Sequence, residues 1–182
     1  MTTKVSILDR PPISGSVSEH RFYALGDCTW ILFDPPDAEP WAGVFGKGDV
    51  VPCNSACAFA DDRSAFVIAG GQGYIIDLPQ KVLLHHTKNY CLHGVLAPPD
   101  RDFVIAADFS SLLAYDRQGM KWRSEDVALD GIHLDSATAS SVTGKVWQLD
   151  GWYSFELLLN GWHFTEGGLL SPDWFTFSNT TA

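Results

Sequence analysis

Phe66-Val67-Ile68-Ala69 and Phe103-Val104-Ile105-Ala106 are the same tetrapeptide, 37 residues apart. Each copy is followed by a second apolar run that closes on aspartate, Tyr74-Ile75-Ile76-Asp77 and Leu112-Leu113-Ala114-Tyr115-Asp116. Runs rich in β-branched and aromatic residues, bounded by turn residues, read as paired antiparallel strands. A unit that recurs at this period indicates stacked or radially arranged sheets.

Working outward, the first copy is entered from the Asp61-Asp62-Arg63-Ser64 turn and continues through Gly70-Gly71-Gln72-Gly73 into its partner run. Lys81-Val82-Leu83-Leu84-His85-His86 supplies a third strand, and residues 91–97 a fourth. The second copy has a Gln118-Gly119 turn before Met120-Lys121-Trp122-Arg123, then Val127-Ala128-Leu129 and Ile132-His133-Leu134 around Asp130-Gly131. A further unit follows: Val146-Trp147-Gln148-Leu149, the Asp150-Gly151 turn, a strand over 152–159, and Trp162-His163-Phe164 after Asn160-Gly161, a strong hairpin signal. The alternating Trp174-Phe175-Thr176-Phe177 reads as one more pairing strand.

Upstream, Phe22-Tyr23-Ala24-Leu25 and Trp30-Ile31-Leu32-Phe33-Asp34 read as a pair around Gly26-Asp27. Residues 41–45 and Val50-Val51 read as another around Gly46-Lys47-Gly48-Asp49. Ala56-Cys57-Ala58-Phe59-Ala60 fits helix or strand equally. The expected organisation is an irregular N-terminal arm over 1–19 with one edge strand at 5–8, a single all-β repeat domain over 20–178, and a disordered tail over 179–182. The expected fold is all-β, with repeated antiparallel sheets in a small β-propeller-like domain. A β-sandwich or barrel is the alternative.

Of the 182 residues 46% are hydrophobic, enough for one well-buried domain. The 12 basic and 22 acidic residues give a net charge of −10, spread over both halves of the chain. Such a chain repels phosphate backbones, so no nucleic acid is expected, and it favours a basic protein partner. No apolar stretch approaches the ~20 residues that span a bilayer, so no membrane is expected. The N-terminus lacks the apolar centre of a signal peptide, which makes a cytoplasmic location the expectation. Cys28, Cys53, Cys57 and Cys91 are then read as reduced thiols.

Leu112-Leu113-Ala114-Tyr115-Asp116, Gly119 with Trp122, Leu129-Asp130-Gly131-Ile132, Val142-Thr143-Gly144, Asp150-Gly151-Trp152 running into Phe155-Glu156-Leu157, Asn160-Gly161 and Gly167-Gly168 form a pattern over 103–168. In this pattern the chain resembles a class of small uncharacterised bacterial proteins with β-propeller-like repeats. The resemblance implies a fold and carries no activity.

Candidate chemistry is sparse. His85, Cys91 and His93 form the densest group of metal-ligand types, but adjacent His85 and His86 face opposite ways on a strand and no zinc spacing is present. No metal or cofactor is expected. Cys53 and Cys57 lack the Cys-x-x-Cys spacing, and Gly43-Val44-Phe45-Gly46-Lys47-Gly48 lacks the phosphate-loop pattern. Trp152, Trp162 and Trp174 are candidates for anchoring a partner or stacking on a sugar. Asp108 is a candidate because its loop, Asp108-Phe109-Ser110-Ser111, differs from the glycine turn at the equivalent place in the other copy, and function lies in such unequal loops.

The leading reading is a non-catalytic protein-binding domain. Its concrete form is an acidic immunity protein neutralising a basic bacterial toxin, since such proteins bind by complementary charge. The alternatives are a small-molecule or carbohydrate-binding module using an exposed Trp, and a metal-dependent enzyme centred on residues 85–93. The sequence assigns no catalytic residue and no oligomeric state.

Overall fold

Both copies of the tetrapeptide occupy equivalent places in the computed structural model, which describes residues 2–50, 52–87 and 91–165. The first lies in β6 (Ser64–Ala69), which pairs antiparallel with β7 (Gln72–Asp77), Val67 opposite Tyr74. The second lies in β10 (Val104–Ala107), which pairs antiparallel with β11 (Leu112–Asp116), Ile105 opposite Ala114. Each pair is the centre of a four-stranded meander. β5 (Asn54–Ala58) and β8 (Val82–His86) flank the first, and β9 (Gly94–Leu96) and β12 (Gly119–Arg123) flank the second.

A third meander runs β13 (Ile132–Ala137), β14 (Ser141–Gln148), β15 (Gly151–Leu158), β16 (His163–Phe164). At the N-terminal side stands a mixed sheet made of β1 (Lys4–Leu8), β2 (Ser18–Phe22), β3 (Cys28–Asp34) and β4 (Trp41–Gly46). Its order is β1-β3-β4-β2, with β2 parallel to β4. The protein is therefore all-β, four small sheets in chain order. None closes into a barrel, and no helix occurs among the described residues.

The repeated tetrapeptide is apolar at every position because its strand is buried on both faces. Ala65, Val67 and Ala69 point toward the first sheet, where they join Ile31, Phe33, Trp41 and Phe45. Phe66 and Ile68 point the other way and meet Val104, Ala106, Leu113 and Tyr115 of the third sheet. Ile105, Leu112 and Ala114 face the fourth, against Val142, Val146, Phe155 and Leu157. Strands buried on both faces read as continuous apolar runs, and each such Ile or Phe contributes about 1.5–3 kcal/mol by leaving water. First strands stand side by side, β5 against β1 and β9, and β13 against β9. Among the described residues no apolar cluster joins the fourth sheet to the first.

The aspartate that closes each repeat holds the next turn. Asp77 Oδ1 accepts the Gln80 N–H at 2.8 Å, and Asp116 Oδ1 accepts the Gln118 N–H at 2.8 Å. Arg117, beside that second turn, reaches back across the sheets to Asp77 at 2.6 Å.

Several expectations are corrected. β2 and β3 do not pair as a hairpin, because β1 and β4 take the two edges of β3 and β2 lies beyond β4. Residues 1–19 contribute all of β1, an edge strand as expected, and also the start of β2. The stretch 91–97 supplies β9, the first strand of the third sheet rather than the last of the second. Of residues 56–60, Ala56, Cys57 and Ala58 resolve to strand, ending β5, and Phe59 and Ala60 lead into the turn that follows. No strand forms at Val50 or over 127–129, where the chain crosses from one sheet to the next. Trp174 to Phe177, Gly167-Gly168 and the tail over 179–182 lie outside the described residues.

Candidate functional site

In an antiparallel meander successive connections lie at alternate ends of the sheet. The turns 70–71, 108–111 and 149–150 therefore share one end with the crossings 47–53, 87–93 and 124–131 that lead into the next sheet. The 23–27 loop joins them, since the Lys47 N–H donates to the Asp27 carbonyl at 2.9 Å. The turns 59–63, 78–81, 97–103, 117–118, 138–140 and 159–162 share the opposite end.

The crossing end is fastened from sheet to sheet. The N–H of Gly48 donates to Ala69 O (3.1 Å), Leu92 to Gly71 O (3.0 Å), His93 to Ala107 O (3.0 Å), Gly131 to Phe109 O (2.7 Å) and Leu129 to Trp147 O (3.0 Å). Loops tied in this way form a preorganised surface, which lowers the ordering cost of binding.

That surface displays large apolar side chains to solvent. Tyr23, Leu25, Val50, Phe109, Leu129 and Leu149 are all there, each between 41% and 88% exposed. Asp49, Asp108, Asp130 and Asp150 each neighbour one of them in sequence. The described residues of these loops hold seven acids (with Asp27, Glu125 and Asp126) against Lys47. Turns at the opposite end carry no exposed large apolar side chain among the described residues. Tyr23 also has φ 47°, a left-handed conformation that a bulky residue adopts only under constraint. Its ring stacks on His86 (5.0 Å), which stacks on Tyr74 (4.7 Å). Burial, reinforced by neighbouring His85, pushes the His86 pKa below its ordinary value.

Between the second and third sheets at this end lies a cavity of about 660 Å³, walled by His85, Cys91, Asp108, Phe109, Tyr115 and Arg123 among others. Asp108 shapes it from within its loop, where Oδ1 accepts the N–H groups of Ser110 (3.0 Å) and Ser111 (2.7 Å). Arg123 donates to Ser111 Oγ at 3.0 Å from Nη2, and that hydroxyl donates to Asp126 at 2.9 Å. Hydrogen bonds from Ser110 and then Ser111 hold the Asp126 carboxyl below its ordinary range. Burial pushes the Tyr115 phenol up to about 12, with Asp108 adding to the shift.

The structure separates the sequence candidates. His85 and Cys91 share the cavity wall, whereas His93 lies outside it, its Nε2 bonded to Ile132 O at 2.6 Å. Among the described residues no group of three or more His, Cys, Asp or Glu side chains is gathered to hold a metal. Trp162 packs on Trp122 at 4.6 Å and on Phe103 at 5.0 Å, against the core between the third and fourth sheets. Trp152 is 51% exposed at the start of β15, at the crossing end. Trp174 lies outside the described residues. Sequence reading passed over Leu25, Val50, Leu129, Leu149 and Arg123. The available signal was the acid–apolar dipeptide recurring in the loops.

Among the described residues no helix is long and apolar enough to cross a membrane. No protein-family model matches this chain, and no curated protein is similar to it.

Proposed function

We propose that this protein is a non-catalytic binding domain that grips a basic protein partner at the crossing end of its sheets. An immunity protein neutralising a basic bacterial toxin is the concrete form of that reading. The observation that carries it is the asymmetry between the two sets of loops: those at the crossing end set six large exposed apolar side chains among acids, whereas among the described residues the turns at the other end carry none, Val82 and Met120 standing exposed only in the strands beside them. Exposed apolar groups with a charged rim are the anatomy of a protein interface. The acidic rim speeds encounter with a basic surface and suppresses other partners.

The test is co-purification on the tagged full chain at low salt, with the bound proteins identified by mass spectrometry. A basic protein that is released at high salt is the expected result, and a neighbouring gene encoding that protein would give the toxin form its support. Recovery of acidic or neutral partners only, or of none, overturns the reading.

A second reading rests on the cavity, whose volume falls within the roughly 300–1,000 Å³ of small-molecule sites. No tryptophan among the described residues lines it, so sugar stacking in this reading would depend on Trp152 instead. A metabolite retained by the purified protein, and displaced in Tyr115→Phe, is the observation that would favour it.

A further inference from the structure

We infer that the Trp152 corner of the fourth sheet is the anchor of the docking surface and that it receives an arginine side chain of the partner. This deepens the proposed function and rests on it. The corner is built from two turns, 129–131 and 149–150, and the strands they serve. Leu129 and Leu149 stand exposed beside Trp152 and Tyr153, and Trp147 meets Trp152 edge-on at 5.5 Å.

The backbone beneath is locked. Leu129 N–H donates to Trp147 O at 3.0 Å, Trp147 N–H returns to Gly131 O at 2.9 Å, and Gly131 N–H donates to Phe109 O at 2.7 Å. Gly131, at φ 123°, lies beside the Trp152 ring, whose Cη2 stands at ordinary contact distance, 3.4 Å, from the place a Cβ would take.

Each turn also carries a carboxylate. Among the described residues Asp130 makes no ion pair, and Asp150 accepts the Tyr153 hydroxyl at 2.9 Å, which fixes its place, with no described cation paired to it. Lys145 is the one cation on β14 and β15. A half-exposed indole with a carboxylate in each of the two adjoining turns suits a guanidinium. That group stacks flat on an aromatic face while its edge donates in parallel to a carboxylate, whereas an ammonium offers a point charge alone. Trp, Tyr and Arg are also the residues that dominate interface hot spots.

The experiment titrates hexa-arginine amide, hexa-lysine amide and maltohexaose into the ¹⁵N-labelled full chain and follows the indole N–H signals of its 7 tryptophans. Trp152→Phe identifies the Trp152 signal by its loss. Hexa-arginine should shift the Trp152 indole and bind at least about fivefold more tightly than hexa-lysine, given the stacking that only guanidinium adds. Asp130→Asn with Asp150→Asn should weaken it about fivefold or more, while Asp37→Asn with Glu39→Gln at the other end changes it less than about twofold. Equal affinity for the two peptides, equal affinity of the Asp130/Asp150 variant, or a Trp152 signal that answers maltohexaose alone would overturn the inference. A silent Trp152 with a basic protein still co-purifying removes this inference and leaves the proposed function standing. Failure of both assays removes both.

Discussion

Arg117 and Asp77 form the charged clasp between the second and third sheets, and its removal gives a calculable loss. The Asp77 carboxylate is only 6% exposed and accepts Arg117 Nη2 at 2.6 Å, while its other oxygen accepts the Gln80 N–H. Arg117 is 30% exposed and has Asp61 as a more distant neighbour at 3.9 Å. An exposed pair would be worth at most about 1 kcal/mol. Removing one partner of a fully buried pair costs about 3–5 kcal/mol, because a buried charge is left alone.

This pair lies between those limits, one member buried and the other half-solvated. Arg117→Met, which keeps the aliphatic stem, should therefore cost about 2 kcal/mol, or about 4–8 °C in Tm for a chain of this size. Asp77→Asn keeps the turn hydrogen bond and leaves an accessible guanidinium, so it should cost about 1 kcal/mol. Urea denaturation followed by Trp fluorescence measures each variant and the double mutant. A loss below about 0.5 kcal/mol for Arg117→Met, or near-additive single effects, would refute the assignment of this pair as an inter-sheet clasp.

Other expectations concern single side chains. Trp162→Ala removes a ring stacked on Trp122 and Phe103 and should cost about 3 kcal/mol, whereas Trp152→Ala should stay within about 0.5 kcal/mol of wild type in the same melts. Gly144→Ala places a Cβ against the His133 carbonyl and 2.7 Å from the Phe155 ring, and should destabilise by more than about 2 kcal/mol. Burial pushes Cys57, Tyr74 and Tyr115 up to about 12 in the native state, from ordinary values of 9.0 and 10.0. The unfolded chain then releases these protons first, so stability is full below pH 9 and falls steadily as pH rises toward 12. Urea midpoints measured across that window should decline, and Tyr115→Phe should lessen the decline.

The doubled tetrapeptide made the repeat legible because burial on two faces leaves no polar alternation to obscure it. Turn positions were equally readable where Gly or Asp-Gly marks them, as at Gly70-Gly71 and Asn160-Gly161. The site was hidden by the same rule that exposed the scaffold. Leu25, Val50, Leu129 and Leu149 each adjoin an apolar run, so pattern reading assigned all four to strands, yet the structure sets them in loops facing water. Periodicity cannot separate an apolar residue that ends a strand from one displayed just past it. The reversal in the first sheet was hidden for a different reason. Proximity favours a β2–β3 hairpin, and only long-range pairing of β1 with β3 displaces β2 to the far side of β4. Asp108 was legible, since its loop departs from the repeat. Its cavity partner Arg123 was not, since it arrives from another strand.

The most direct test of the account compares two sets of substitutions against the basic partner recovered by co-purification. One set changes Leu25, Leu129 and Leu149 to Ser with Asp130 and Asp150 to Asn, at the crossing end. The other changes Asp37, Asp100 and Asp102 to Asn, at the opposite end. Calorimetric titration should show the first set weakening binding by about a hundredfold or more and the second by less than about threefold. Equal losses from both ends, or a larger loss from the second set, would contradict the assignment of the crossing end as the binding surface.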